Sequence, residues 1–262
     1  MSSAPWAIET EGLGRDYGET RALDALTIAV AGGSLVALVG PNGAGKTTAM
    51  LLLATLLTPT RGHARVLGHD LRRGGREIRR RLGLLFQETT IDGLLTVEEN
   101  LEFAARLAGL RGAARRAAVS RALDRSGLAP RARQPARALS GGLRRLADVA
   151  RSTLHAPDLL LLDEPTVGLD PEHRRATWEL LDRERRTRGV TVLFSTHYLG
   201  EAERADRVVM LSRGRVVADD SPQALRAAAG RAATLEDVYF RSAMAEQGPR
   251  AASPPPADEA LR

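Results

Sequence analysis

The chain has 262 residues, 43% hydrophobic and 27% charged, with a formal net charge of +6. This suits one large α/β domain, or one carrying an inserted lobe, and excludes wholesale disorder. With no cysteine in the chain, a disulfide framework, a thiolate metal site and a catalytic thiol are excluded as well.

No apolar run approaches the roughly 18–20 residues that a membrane-spanning helix needs. The first residues, through Leu13, lack the basic-then-apolar layout of a secretory signal. A soluble, cytoplasmic chain is the expectation. Of the 38 basic residues a single one, Lys46, is lysine, so the net charge reflects an arginine-for-lysine habit. Positive charge spread along the whole chain specifies no nucleic acid partner. A flexible ammonium and a planar guanidinium are not interchangeable, and Lys46 is where that exchange has not been made.

Trp6–Leu13 and Leu26–Ala31 read as short strands of a β-rich beginning. Ser34–Val39 is a continuous apolar run, as expected of a strand buried on both faces. A glycine loop follows, then a helix from about Thr47 to Leu57, ended by Pro59-Thr60-Arg61-Gly62. Glu88–His155 has helical spacing instead. Thr96 with Glu99 forms a capping box for a helix through Leu107, Ala113–Ser126 is a second helix, and Ser140 opens a third. Buried strands return at Leu159–Asp163 and Val190–Ser195, and Arg213-Gly214 joins Arg207–Ser212 to Arg215–Asp219 as a hairpin. Ser221-Pro222 and Thr234 to Asp237 start short helices, and from about Gln247 a proline-rich tail without apolar periodicity is expected to be disordered. Strands alternating with helices predict an α/β fold: a mainly parallel sheet, an N-terminal antiparallel portion and an inserted helical lobe.

Gly40-Pro41-Asn42-Gly43-Ala44-Gly45-Lys46-Thr47-Thr48 fits G-x-x-x-x-G-K-[ST] between a strand and a helix, which is the context a phosphate-binding loop requires. Its amides and helix N-terminus cradle phosphate, Lys46 reaches the β- and γ-phosphates, and the Thr47 hydroxyl ligates Mg²⁺. Leu159 to Leu162 end in Asp163 and Glu164. Beside a phosphate loop, Asp163 can hold the metal and Glu164 can polarise an attacking water. Ser140-Gly141-Gly142, 23 residues ahead of Asp163, is a second anion-binding helix start. With two such starts and one lysine, the second is expected to serve a different ATP.

Taken in order, these motifs resemble the nucleotide-binding subunit of an ATP-binding cassette (ABC) transporter, a P-loop NTPase. The set comprises Gly40–Thr48, Leu84-Leu85-Phe86-Gln87, Leu139-Ser140-Gly141-Gly142, LLLLDEP, Gly168-Leu169-Asp170 and Ser195-Thr196-His197. The resemblance implies ATP and Mg²⁺ as cofactors and two copies packed head to tail. Ser140, Gly141 and Gly142 would face the partner's γ-phosphate, Asp170 would sit at the dimer interface, and Tyr17 would stack on adenine. Gln87 would reach Mg²⁺ and the water, and His197 would touch the γ-phosphate, so that the catalytic set is Lys46, Gln87, Glu164 and His197. Asp170 also reads locally as the N-cap of a helix with Pro171 at N1. One departure is Leu143, where the family often has glutamine.

The implied domain layout is a single cassette over residues 1–240. Its core lobe comprises 1–87 and 156–220, its helical lobe 88–155, and a short C-terminal extension 221–246. Leu95 to Leu107, Thr166 to Pro171 and Thr234 to Phe240 resemble the ABC-2 type exporters, including daunorubicin-resistance-like ATPases. That implies an exporter ATPase at the inner face of the membrane with a separate membrane subunit. The competing class is a soluble ABC ATPase of cluster assembly or macromolecular remodelling. A single cassette and an interval of only 94 positions from Lys46 to Ser140 disfavour its translation and DNA-repair types, and the Leu235-Glu236-Asp237-Val238 stretch disfavours the iron–sulfur type.

Overall fold

The computed structural model describes residues 6–230 and 233–246; the tail expected to be disordered lies outside the described residues. The chain opens with β1 (Trp6–Tyr17), β2 (Thr20–Leu26), β3 (Ala29–Ala31), β4 (Leu35–Val39) and α1 (Lys46–Leu53). Then come β5 (Arg61–Val66), β6 (His69–Asp70), α2 (Gly75–Arg80) and β7 (Leu82–Leu85). Three helices follow: α3 (Val97–Leu107), α4 (Gly112–Ser126) and α5 (Gly141–Thr153). The second half holds β8 (Leu159–Asp163), α6 (Pro171–Arg188), β9 (Thr191–Thr196) and α7 (Leu199–Ala202). It closes with β10 (Arg207–Ser212), β11 (Arg215–Asp220), α8 (Pro222–Ala229) and α9 (Leu235–Glu246).

One sheet is antiparallel, in the order β2-β1-β5-β6 with β3 also on β1; the other runs β11-β10-β4-β9-β8-β7. In the second sheet every pairing is parallel except the β10–β11 hairpin. Both faces of this sheet are covered, which is why its strands read as unbroken apolar runs. In β4, Val36 and Leu38 pack with α1 and the antiparallel sheet, whereas Leu35, Ala37 and Val39 face a cluster containing α5, α6 and α9 residues. β8 divides the same way, Leu159 and Leu161 on one side and Leu160 and Leu162 on the other. Each fully buried leucine is worth roughly 1.5–3 kcal/mol relative to exposure, so this run anchors the two carboxylates at its end.

A third apolar cluster is drawn from Ile91 to Leu154 and includes Val97, Leu101, Val119 and Leu123. Helix α5 belongs to two clusters: Leu146 and Val149 pack on the parallel sheet, while Ala147 and Ala150, with Leu154 just past its end, pack on α3 and α4. The helix starts follow their caps. The Thr96 hydroxyl accepts from the Glu99 amide at 3.2 Å, and Glu99 accepts from the Thr96 amide at 2.8 Å. Ser140, Asp170 and Ser221 cap α5, α6 and α8 through their side chains.

The strand expected over Trp6–Leu13 continues to Tyr17, and the one expected over Leu26–Ala31 is two pieces. Ala25 has φ 58°, which turns the chain as β2 ends, and the Ile28 amide donates to the Thr10 hydroxyl at 2.9 Å before β3 begins. Helix α1 stops at Leu53 rather than near Leu57, because Thr55 enters the left-handed region at φ 61°. Arg61-Gly62, read as a helix terminator, opens β5. Among the described residues no helix is long and apolar enough to cross a membrane.

Candidate functional site

Strand order assembles the site. The C-terminal ends of β4, β9 and β8 are neighbours, with Val39 paired to Thr196 and Ser195 to Asp163. From β4 comes the glycine loop, from β9 Ser195 and His197, and from β8 Asp163 and Glu164. Gly45 N-caps α1 at φ 102°, and a Cβ there would stand 2.7 Å from the Ala22 carbonyl, so both conformation and space demand glycine. That contact also brings the β1–β2 hairpin, with Tyr17 at the end of β1, against the loop. Tyr17 is exposed, and the Arg15 guanidinium lies over its ring at 4.9 Å.

Lys46 is buried, and its ammonium donates to the Gly40 carbonyl at 2.7 Å and the Pro41 carbonyl at 3.1 Å. Burial lowers its pKa, while Glu164 and Asp163 oppose the shift. Its Nζ lies 3.9 Å from Glu164 Oε1, and the same oxygen is 2.9 Å from His197 Nδ1. Lysine, carboxylate and imidazole thus form a chain from the phosphate loop to the end of β9. The Tyr198 ring packs on His197, centroids 4.1 Å apart.

Asp163 is held on both oxygens by hydroxyl donors: Thr47 Oγ1 at 2.9 Å on Oδ2, and Ser195 Oγ on Oδ1. Ser195 Oγ also accepts from the Glu164 amide at 3.0 Å. Glu164 has φ 48°, a left-handed conformation that is costly for a residue with a side chain, so its backbone is held there by its surroundings. Arginine 145 (Arg145), from α5, is part of that support. Its buried guanidinium bonds the Asp163 and Glu164 carbonyls.

The remaining expected residues are not all brought together. The Gln87 side chain is exposed and makes no hydrogen bond among the described residues; its carbonyl accepts from Arg145. Ser140 spends its hydroxyl on the Leu143 amide at 3.2 Å, and no hydrogen bond joins Ser140–Gly142 to residues 40–48. Asp170 accepts from the His173 amide at 3.0 Å and lies 2.6 Å from its imidazole, and these two bonds hold its carboxyl below the usual range. The His173 ring in turn lies where a Cβ on Gly142 would be 2.5 Å from its Cγ. Sequence reasoning assigned no role to Ser195, His173 or Arg145. The cue for Arg145 was periodicity: it shares a helical face with Val149 and Ser152, both buried.

A buried lysine in a glycine loop, a hydroxyl–carboxylate pair beside it and a second carboxylate bonded to a histidine can bind a nucleoside triphosphate and activate water toward it. Among the described residues no three His, Cys, Asp or Glu side chains cluster as a metal cage. One carboxylate with an adjacent hydroxyl is instead the donor set suited to Mg²⁺ arriving with phosphates, so these residues fit that ion.

A mainly parallel sheet with these three strand ends, joined to a helical unit whose helix α5 begins at a Ser-Gly-Gly cap, defines a nucleotide-hydrolysing ATP-binding cassette. The chain belongs to the ABC transporter family, whose model matches residues 23–167. It is 42% identical over 225 residues to the daunorubicin/doxorubicin resistance ATP-binding protein DrrA of Streptomyces peucetius, covering 86% of this chain and 68% of that one. To the Nod factor export ATP-binding protein I of Ralstonia nicotianae it is 39% identical, over 83% of this chain and 68% of the relative. Among solved structures, an ATP-binding subunit of an ABC transporter superposes with TM-score 0.81 at 31% identity, over 90% of this chain and 99% of the other. A dimeric ATP-binding cassette in a post-hydrolysis state with ADP and Pi superposes with TM-score 0.74 at 26% identity, over 82% and 98%. The chain is an ATP-binding, ATP-hydrolysing subunit of the ABC-2 exporter type.

Proposed function

We propose that this chain drives export, of the drug, lipid or polysaccharide type, through a separate membrane subunit. ATP closes two copies head to tail and hydrolysis reopens them. The observation that carries the reading is the Lys46–Glu164–His197 chain beside the Thr47–Asp163 pair, a phosphate anchor and a water-activating carboxylate in one buried cluster. The Gly40–Thr48 amides and Lys46 bind the β- and γ-phosphates, and Tyr17 stacks on adenine. Glu164 accepts the water's proton, and His197 orients that carboxylate and contacts the γ-phosphate. Thr47 and Asp163, with Gln87 swinging in, would hold Mg²⁺, which when bound neutralises charge on the transferred phosphoryl group.

Ser140, Gly141 and Gly142 serve the second copy's γ-phosphate, a reading supported by their having no cis partner in the phosphate loop. Asp170 lies at the same interface. The domain layout proposed with this function is a core lobe (1–87 and 156–220), a helical lobe (88–155) and a C-terminal extension (221–246). Between core and helical lobes lies a cleft of about 640 Å³ lined by Leu56, Leu84, Phe86 and Leu107, with Arg76 and Arg79 at its rim. A cytoplasmic helix of the membrane subunit, apolar on one face and acidic at its end, fits that lining. Docking there places the chain at the inner face of the membrane.

The deciding experiment is Glu164→Gln. It is expected to bind ATP and to form an ATP-dependent dimer by light scattering, while turnover falls by roughly 10²–10⁴-fold, the usual worth of a positioned base. Full hydrolysis by this variant would refute the base assignment.

A further inference from the structure

Arg145 carries a charge into the joint between the two lobes, and every donor it has is used there. A guanidinium offers five N–H groups in one plane. Nε donates to the Pro165 carbonyl at 3.0 Å, Nη1 to the Phe86 and Gln87 carbonyls, and Nη2 to the Asp163 and Glu164 carbonyls at 2.9 and 2.7 Å. The residue is 5% exposed, and its acceptors are backbone oxygens from two segments, 86–87 and 163–165. Among the described residues no carboxylate bonds it directly, although Asp148, Asp163 and Glu164 lie near enough to favour its charge against burial.

The acceptors matter more than their number. Glu164 sits at φ 48°, and its peptide groups are pinned on both sides, the amide by Ser195 and the carbonyl by Arg145. Gln87 leaves β7 with its carbonyl on the same guanidinium. Arg145 itself lies in the second turn of α5, the helix that Ser140 caps. A rotation of α5 against the core therefore cannot leave Gln87 and Glu164 in place without breaking charge-assisted bonds in a dry site.

We propose that Arg145 is a positioning residue. It locks the backbone of Glu164 and Gln87 to the helix that begins at Ser140, so that the Ser140-Gly141-Gly142 helix start and the hydrolytic carboxylate move as one body. The proposal rests on the reading of Glu164 as the water-activating carboxylate. Arg145 acts through the Glu164 backbone, by setting where that carboxylate points.

The test is a double-mutant cycle on the full chain with Arg145→Lys, Glu164→Gln and both together, measuring kcat and KM for ATP. Lysine keeps the charge but replaces a planar five-donor fork by a point with three. The expected result is a fall in kcat of roughly 10–100-fold for Arg145→Lys, the cost of a small misplacement of a catalytic group, with KM changed less than about threefold. In the Glu164→Gln background the same substitution is expected to change residual turnover less than about twofold, because the group it positions is already gone. Arg145→Gln, which keeps two donors without the charge, is read in the same way if the lysine variant does not fold.

Unchanged kcat in a folded variant would overturn the proposal. So would losses that multiply fully in the double variant, or a failure of both Arg145 variants to fold, each of which marks a purely structural arginine. Retained turnover in Glu164→Gln alone would remove the underlying reading and this proposal with it. Normal turnover in Arg145→Lys beside a dead Glu164→Gln would remove only the proposal.

Discussion

The two glycine-flanked helix starts of this chain are finished to different degrees. At the head of α1, Lys46, Thr47 and the strand ends of β8 and β9 close on one another, and the side chains of Lys46, Thr47, Asp163, Glu164 and His197 each bond within the chain. At the head of α5, Ser140 satisfies one amide, and a Cβ on Gly141 would meet nothing within 4 Å among the described residues. The first start has its surrounding side chains in place as folded. The second presents open space, as half of a site would. Backbone amides at a helix N-terminus attract an anion in either case, and what differs is whether the same chain supplies the remaining walls.

That difference can be tested from its strongest consequence downward. Lys46→Ala is expected to weaken ATP binding and to lower turnover by at least about 100-fold, since it removes the buried cation at the phosphates; filter binding and steady-state ATPase assays check both. Gly141→Val is expected to leave ATP binding by the isolated chain unchanged while turnover falls by a comparable factor. Mixing the two dead variants then restores part of the activity, because a head-to-tail pair rebuilds one intact site from an unmutated phosphate loop and an unmutated Ser140-Gly141-Gly142 start. Failure of that mixture to recover any activity would count against head-to-tail pairing.

A smaller effect marks the other end of α5, where the chain does close on itself. His155 Nε2 lies 3.0 Å from the Leu82 carbonyl, and burial lowers the imidazole pKa, opposed by that bond and helped by Arg188 and Arg151. The folded state therefore binds a proton less readily than the unfolded chain, whose histidine titrates near about 6.5. Its contribution to stability is whole above that pH and is lost as pH falls from there through the folded value. His155→Gln is expected to flatten the decline in melting temperature between about pH 6.5 and 5, by at most the 2–4 °C that about 1 kcal/mol produces in a domain of this size. Scanning calorimetry across that window reads it, and an identical slope in both proteins would remove the assignment.

Much of the site was legible because its signals are local. A phosphate loop needs particular residues at fixed spacing between a strand and a helix, and Gly40–Thr48 shows all of it in nine positions. The Thr96–Glu99 box and the Ser140, Asp170 and Ser221 caps were likewise legible, since a cap closes within one turn. Less legible were β5, β6 and α2, where exposed arginines and glycines break the apolar periodicity, and the split at Ala25–Ile28, where a side-chain hydroxyl takes the place of a ladder bond.

Arg145 shows where sequence reading ends. Arg144 and Arg145 are the same letter in a chain with 37 arginines, and local chemistry treats them alike. One is partly exposed, and the other is buried with five carbonyls around it. The sequence by itself determined the nucleotide chemistry, because phosphate, metal and water each demand a residue type at a short, fixed spacing. Only the tertiary structure decided which residues hold that chemistry in place. Those bonds join backbone atoms 18 to 59 residues apart from the arginine that binds them, a distance across which no local pattern reaches.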